Sequence, residues 1–158
     1  MGHVFRIPGE PVGWRHQHSV VHGKPRARLS KRAKAWNKTA VTIIRSQWGT
    51  RAPLTGALSI RVVARFFRPG SMECDHRPLK CWERPEDKRL CSEDVVWGVS
   101  APHIGTPDLT NIVKLAEDAL VRAGVIEDDR LVCESSGRKR YPPRGDEPEV
   151  RIYVEEIA

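Results

Sequence analysis

Carboxylates stand at both ends of one predicted helix in this chain. Asp108 lies at the start of the helix, Asp118 follows two to three turns later, and Asp128 and Asp129 come just beyond its end. Carboxylates on a helix and a neighbouring loop suit Mg²⁺, which binds through one or two carboxylates and keeps sites for water and phosphate. The same spacing also fits an acid that complements a helix N-terminus, followed by a solvated acidic turn. Spacing alone leaves both interpretations open.

The charge of the chain is divided unevenly along its length. The 158 residues include 27 Lys and Arg against 20 Asp and Glu, a net charge of +7. Residues 1–51 hold eleven Lys and Arg and one acid, residues 52–158 hold sixteen and nineteen, and residues 11–72 contain no acid. Such a stretch attracts a polyanion through counterion release, although a solvated basic face has the same composition. Basic residues combined with the carboxylates favour phosphodiester chemistry.

Composition limits the class of protein. With 39% hydrophobic and 30% charged residues, the chain can form one compact domain, which argues against disorder and fibrous repeats. No apolar run approaches the ~18 residues that a membrane span needs. The opening MGHVFRIPGE lacks the apolar stretch of a secretory signal. We therefore expect a cytoplasmic protein without a membrane segment.

Four cysteines raise the question of zinc. Without a secretory signal, cytosolic thiols stay reduced. Zinc could be held by Cys74, His76, Cys81 and Cys91, with His103 as a further candidate, but these residues lack the paired knuckles of structural zinc sites. We do not expect zinc there, and a zinc-organised interaction protein stands as an alternative.

Hydrophobic periodicity and turn residues predict the elements that position the carboxylates. A short strand covers residues 4–7, residues 9–28 form a loop, and Ser30 caps a helix that runs to about Trp48 with Trp36 on its apolar face. A strand follows over residues 57–68.

The second half begins with an irregular insertion over residues 71–105. A helix capped by Thr106 then runs to Ala123 and stops at Gly124, and strands over residues 131–141 and 149–154 are joined by a hairpin loop. Together the elements predict an α+β fold, a small mixed sheet of about four strands packed with two helices, in a single domain over residues 1–158.

A run of short motifs resembles one known family. Pro107-Asp108-Leu109-Thr110-Asn111, Lys114, Asp118-Ala119-Leu120 and Asp128-Asp129 resemble the signature of the RusA-type Holliday junction resolvases, which are endodeoxyribonucleases common in phages and prophages. That family reads Pro-Asp-x-Asp-Asn, a Lys three residues on, Asp-Ala-Leu and an Asp-Asp pair. FRIPGEPVG, KPRAR and residues 138–141 are also similar to the family, so the likeness covers nearly the whole chain outside residues 71–103.

The resemblance implies a function and a set of roles. Two protomers would grip a four-way DNA junction and nick two strands of like polarity by Mg²⁺-dependent hydrolysis, with Mn²⁺ as a possible substitute, in recombination, repair or phage DNA processing. Asp108 and Asp129 would hold the metal with Asp128 nearby, Lys114 would neutralise charge on the phosphate, and Asn111 and Asp118 would have secondary roles. DNA phosphates would be contacted by Lys24, Arg26, Arg28, Lys31, Arg32 and Lys34, and second by Lys139 and Arg140.

One residue departs from the family pattern. The family's second Asp is Thr110 here, and a neutral hydroxyl is a poorer Mg²⁺ ligand than a carboxylate. Asp108 and Asp129 suffice with extra waters, or Glu117 or Asp118 substitutes, or the protein binds branched DNA without cutting it. A catalytically impaired branched-DNA-binding protein is therefore the main alternative, and a general basic nucleic-acid-binding module is another.

Overall fold

The computed structural model describes residues 2–13, 16–21, 24–67, 101–142 and 146–157. For residues 16–21 and 24–28 the description covers the backbone alone. The candidate zinc residues Cys74, His76, Cys81 and Cys91, and most of the predicted insertion, lie outside the described residues.

The described chain forms one sheet, a separate hairpin and two helices. In chain order the elements are β1 (His3–Pro8), β2 (His16–Val21), β3 (Lys24–Leu29), α1 (Lys31–Trp48), β4 (Leu58–Arg65), β5 (Ala101–Pro102), α2 (Leu109–Ala123), a 3₁₀ turn (Asp129–Leu131), β6 (Val132–Tyr141) and β7 (Glu149–Glu156). The sheet order is β1-β7-β4-β6-β5, with β4 and β6 parallel and the other neighbours antiparallel. The predicted α+β class, with four long strands in a mixed sheet and two helices, is confirmed.

Two local predictions are wrong. The supposed loop over residues 9–28 contains the antiparallel hairpin of β2 and β3, which its basic and proline-containing sequence concealed. Strands β6 and β7 do not form a hairpin, because β4 lies between them. The parallel pairing of β4 with β6 is possible because α2 supplies the crossover connection.

The core fills the space between one face of the sheet and both helices. Alternate residues of β4 and β7 are buried, as are Trp36 and Ile44 of α1 and Ile112 and Leu120 of α2. Side chains point to opposite faces in turn along a strand and repeat every 3.6 residues around a helix, so these buried side chains all face the same interior. Trp36 is therefore a core residue, as its place on the apolar face predicts.

Contacts at the two ends of α1 and α2 show how the helices are arranged. The guanidinium of Arg45, in the last turn of α1, donates to the carbonyl of Arg122 in the last turn of α2 at 2.8 Å. At the opposite end, Arg32 of α1 bonds Glu10 at 2.7 Å, and Gly13 lies against Pro107 just before α2. The first turns of both helices therefore flank the segment that follows β1.

The start of α2 differs from its prediction, whereas its end does not. Asp108, not Thr106, is the residue before the first helical position, and its backbone is extended, with φ −65° and ψ 146°. Gly124 ends the helix in the left-handed region, at φ 77° and ψ 24°, where its N–H reaches the carbonyls of Leu120 and Val121. Before the helix, Lys139 of β6 donates to the carbonyls of Gly105 and Pro107, the residues on either side of Thr106.

Candidate active site

Asp108 presents a carboxylate that the helix does not use. It occupies the N-terminal position of α2, yet its side chain makes no capping hydrogen bond to the first turn. Its contact is with Asn111 one turn along, whose amide nitrogen lies 3.5 Å from an oxygen of Asp108. The side chain is exposed. An acid that only capped the helix would bond the backbone N–H groups, so this carboxylate is available to another partner.

Lys114 gathers two more carboxylates on the same side of α2. Its ammonium lies 2.9 Å from Asp129 and 3.5 Å from Asp118 one turn on. The hydrogen bond to Asp129, and then the charge of Asp118, raise the pKa of Lys114, and partial burial opposes them. Lys114 therefore remains a cation at neutral pH and brings Asp129, which lies beyond the helix, onto this face.

Asp128 shapes the turn that carries Asp129. One of its oxygens accepts from the backbone N–H and the Nε of Arg130, both at 2.9 Å, and the other accepts from Nη2 at 3.1 Å. These bonds hold the pKa of Asp128 below its ordinary value. Both oxygens thus have partners inside the turn, so Asp128 differs in its surroundings from Asp108.

The position of the missing family carboxylate is exposed. Thr110 lies in the first turn of α2 with its residue surface open to solvent. Glu117, which lies close to Thr110 in helical angle, accepts a hydrogen bond from the hydroxyl of Ser135 on β6 at 3.0 Å. Asp118 is bound to Lys114. Glu117 is therefore bonded to β6, whereas Asp118, like Asp129, contacts the ammonium of Lys114.

The donor set fits a cation held by two carboxylates. Within the described ranges, no three His, Cys, Asp or Glu side chains converge closely enough to hold a metal ion. Asp108 and Asp129 are both hard oxygen donors, and Mg²⁺ characteristically takes one or two protein carboxylates and completes its shell with water and phosphate. The residues present suit Mg²⁺ chemically, and they provide no described group for zinc.

Two glycines let α2 approach its neighbours at this end. A Cβ at Gly137 of β6 would lie 2.8 Å from a methyl of Leu109 and 2.9 Å from one of Val113. A Cβ at Gly13 would lie 2.5 Å from the Cβ of Pro107. Since real Cβ atoms do not approach so closely, the absence of side chains at both positions fixes where the first turn of α2 and Asp108 can lie.

Lys139, predicted as a second-rank DNA contact, also makes contacts within the protein. Its ammonium donates to the carbonyls of Gly105 and of Pro107, the latter at 3.0 Å. Its own carbonyl accepts from the N–H of His103 at 3.1 Å. No sequence signal marks this contact, because it joins positions more than thirty residues apart.

His103, considered above as a further zinc ligand, lies in an aromatic stack. Its ring is 3.9 Å from that of Phe66, nearly parallel to it, and 4.9 Å from that of Tyr141. Burial, and then the charge of Lys139, lower the pKa of His103. The imidazole is therefore neutral at physiological pH and packs beside the segment that Lys139 holds.

The predicted DNA-contacting residues divide into two groups. The first turn of α1 exposes its cations and contains no acid, and Arg32 there is paired with Glu10. Lys24, Arg26 and Arg28 lie on β3, which leads directly into α1. Cations at a helix N-terminus oppose its dipole, so Lys31, Arg32 and Lys34 have no role in stabilising the helix locally.

These observations define a class of protein before they define a family. A small α+β fold has an uncapped carboxylate at the start of α2, a lysine of the same helix paired with a second carboxylate, and a second helix with a cationic first turn. That combination is typical of proteins that act on phosphodiesters. The described part of the chain contains no helix that is long and apolar enough to cross a membrane.

The chain belongs to the RusA endodeoxyribonuclease family. The family model described as "Endodeoxyribonuclease RusA" matches residues 8–155, nearly the whole chain. The family comprises nucleases that resolve Holliday junctions in recombination and bind branched DNA. No curated protein matches the chain.

Proposed function

We propose that this chain is a single-domain, structure-specific endonuclease that cleaves four-way DNA junctions with Mg²⁺, or with Mn²⁺ in its place. The observations that carry the proposal are the uncapped carboxylate of Asp108 at the start of α2 and the contact of Lys114, in the same helix, with Asp129. Family membership supports junction cleavage as the reaction.

Two carboxylates would hold the cation. Asp108 and Asp129 are the donors, and Asn111 restrains Asp108 through the 3.5 Å contact of its amide. A bound divalent cation would lower the pKa of a water molecule and orient it towards the phosphate. Asp128 acts chiefly through the turn, since Arg130 already bonds both of its oxygens.

Lys114 would supply positive charge and not act as a base. Its raised pKa keeps the ammonium protonated, so it cannot accept a proton from water at neutral pH. A cation fixed by Asp129 and Asp118 is already oriented when negative charge develops on the phosphate. Asp118 contributes by holding this lysine.

The basic segment would grip the arms of the junction, and two copies would act together. If six cations from β3 and the start of α1 each neutralise a phosphate, log affinity falls with log salt with a slope of about −5. Paired cuts need two active sites, and a twofold-symmetric homodimer matches the symmetry of the junction. The protein would process DNA in the cytoplasm.

One observation favours a second candidate. Thr110 is exposed and Glu117 is bound to Ser135, so the described residues offer no third carboxylate beside Asp108 and Asp129. A chain that needs the third ligand would bind branched DNA without cutting it.

The experiment compares three isosteric variants on a labelled synthetic junction with Mg²⁺ and with Mn²⁺. We expect Asp108→Asn and Asp129→Asn to lose cleavage while they retain binding. Glu127→Gln is the matched control, because Glu127 is an exposed acid next to Asp128. Equal cleavage by all three variants would overturn the assignment of the site. Binding without cleavage by the unaltered protein in both metals would establish the second candidate.

A further inference from the structure

We propose that Lys139 is a positioning residue for Asp108, and that it fixes the segment from which this carboxylate enters the site. The inference rests on the proposed function, in which Asp108 holds the cation. It assigns Lys139 to the interior of the site and removes it from the DNA-contacting residues.

The side chain of Lys139 lies on the side of the sheet that faces α2. Lys139 lies on β6 in register with Ala64 of β4, and therefore projects to the face of the sheet on which α2 packs. Its neighbours Arg138 and Arg140 pair with Val63 and Arg65 and project to the opposite face. Three consecutive basic residues, which look alike in the sequence, thus separate into one inward cation and two outward ones.

The ammonium of Lys139 binds the segment just before α2. Lys139 donates to the carbonyls of Gly105 and Pro107, the residues three and one before Asp108. An ammonium has three donors, so this single side chain ties both ends of the segment Gly105 to Pro107. Bonds from a charged donor are stronger than neutral ones and hold their partners more firmly.

That segment leads directly into Asp108. Asp108 follows Pro107 directly, has an extended backbone, and makes no capping bond of its own to α2. Pro107 is also in close contact with the backbone at Gly13. Packing against Gly13 and the bond from Lys139 therefore both restrain Pro107, and the direction of Asp108 depends on both.

The charge of Lys139 serves the same end. A cation beside a helix N-terminus opposes the helix dipole, so an ammonium here is locally unfavourable unless an anion is present. The effect of Lys139 on the pKa of His103 shows that its field reaches neighbouring groups. Together with the helix N-terminus, this charge favours the approach of an anionic phosphate.

The test compares Lys139→Met, Lys139→Arg and the control Arg138→Met, which removes a cation from the neighbouring, exposed position on the opposite face. Amide hydrogen exchange of the protein alone is the first measurement. We expect Lys139→Met to speed exchange in the first turn of α2 and leave β4 and β7 protected, whereas Arg138→Met changes neither. Calorimetric titration with Mn²⁺ in the absence of DNA is the second, and we expect weaker binding by Lys139→Met alone.

Junction assays complete the design. Because a misplacement of about 1 Å can cost on the order of 10²-fold in rate, we expect Lys139→Met to lose about that factor in cleavage at saturating junction. Its junction affinity should stay within about threefold of the unaltered protein, and Lys139→Arg should recover part of the rate. Affinity loss with a shallower salt dependence would instead make Lys139 a phosphate contact and overturn the proposal.

The outcomes separate the proposal from the function on which it rests. Unchanged exchange and unchanged Mn²⁺ binding in Lys139→Met would refute the positioning role even in an active enzyme. Absence of cleavage by the unaltered protein would refute the proposed function, while the exchange measurement would still decide whether Lys139 orders the start of α2.

Discussion

Replacing Lys114 with Met separates stability from catalysis. The substitution keeps the length and apolar stem of the side chain and removes the ammonium that lies 2.9 Å from Asp129 and 3.5 Å from Asp118. Lys114 and Asp129 are each nearly half exposed, so each ion pair is worth about 0.2–1 kcal/mol. We therefore expect the free energy of unfolding to fall by less than about 2 kcal/mol, which lowers the melting temperature by at most about 8 °C.

The expected loss of activity is much larger. Removing a fixed donor that stabilises developing negative charge typically costs about 10²–10³ in rate. Single-turnover cleavage of a four-way junction and thermal unfolding, measured on the same preparations, give the two quantities. Arg45→Met is the control, because it removes a cation that bonds α2 at its opposite end. A Lys114→Met protein that cleaves within about threefold of the unaltered one would refute the role of Lys114, whatever its melting temperature.

Three further outcomes follow from the packing and charge of the same region. Gly13→Ala places a Cβ 2.5 Å from that of Pro107, so we expect a loss of about 1–3 kcal/mol in urea unfolding together with slower cleavage; unchanged stability would contradict the close packing. The lowered pKa of His103 means that the unfolded chain takes up a proton first, so stability is complete above the ordinary value of 6.5 and is lost as pH falls below it. His103→Phe should therefore lose less stability than the unaltered protein between about pH 6.5 and pH 5, and equal losses would exclude His103 as the cause. The first turn of α1 contains three cations, Lys31, Arg32 and Lys34. Neutralising all three should make the slope of log affinity against log salt shallower by about 3 for junction binding, and an unchanged slope would exclude them from the interface.

The sequence was informative wherever neighbours along one helix determine the structure. The apolar period of α2 and its end at Gly124 depend on residues close together in the chain. The contacts of Asp108 with Asn111 and of Lys114 with Asp118 likewise join residues three or four apart. Such pairs follow from helical geometry alone. The mixed sheet with two helices followed in the same way from alternation and periodicity.

Contacts between segments that are distant in the chain could not be predicted from local sequence patterns. Thr106 looked like a helix cap, but Lys139 bonds the residues on either side of it and the helix begins after Asp108. The last two strands looked like a hairpin because they are adjacent in the chain, although β4 separates them. The hydrogen bond from Ser135 to Glu117 likewise depends on the register of β6, which no local pattern specifies.

The most direct test maps the cuts that the unaltered protein makes on a synthetic four-way junction with each strand labelled in turn. With Mg²⁺ or Mn²⁺, we predict paired nicks at symmetric positions in two strands of like polarity, which convert the junction into nicked duplexes, and no nicks with Asp108→Asn. A retarded protein–junction complex that leaves all four strands intact in both metals would contradict the account.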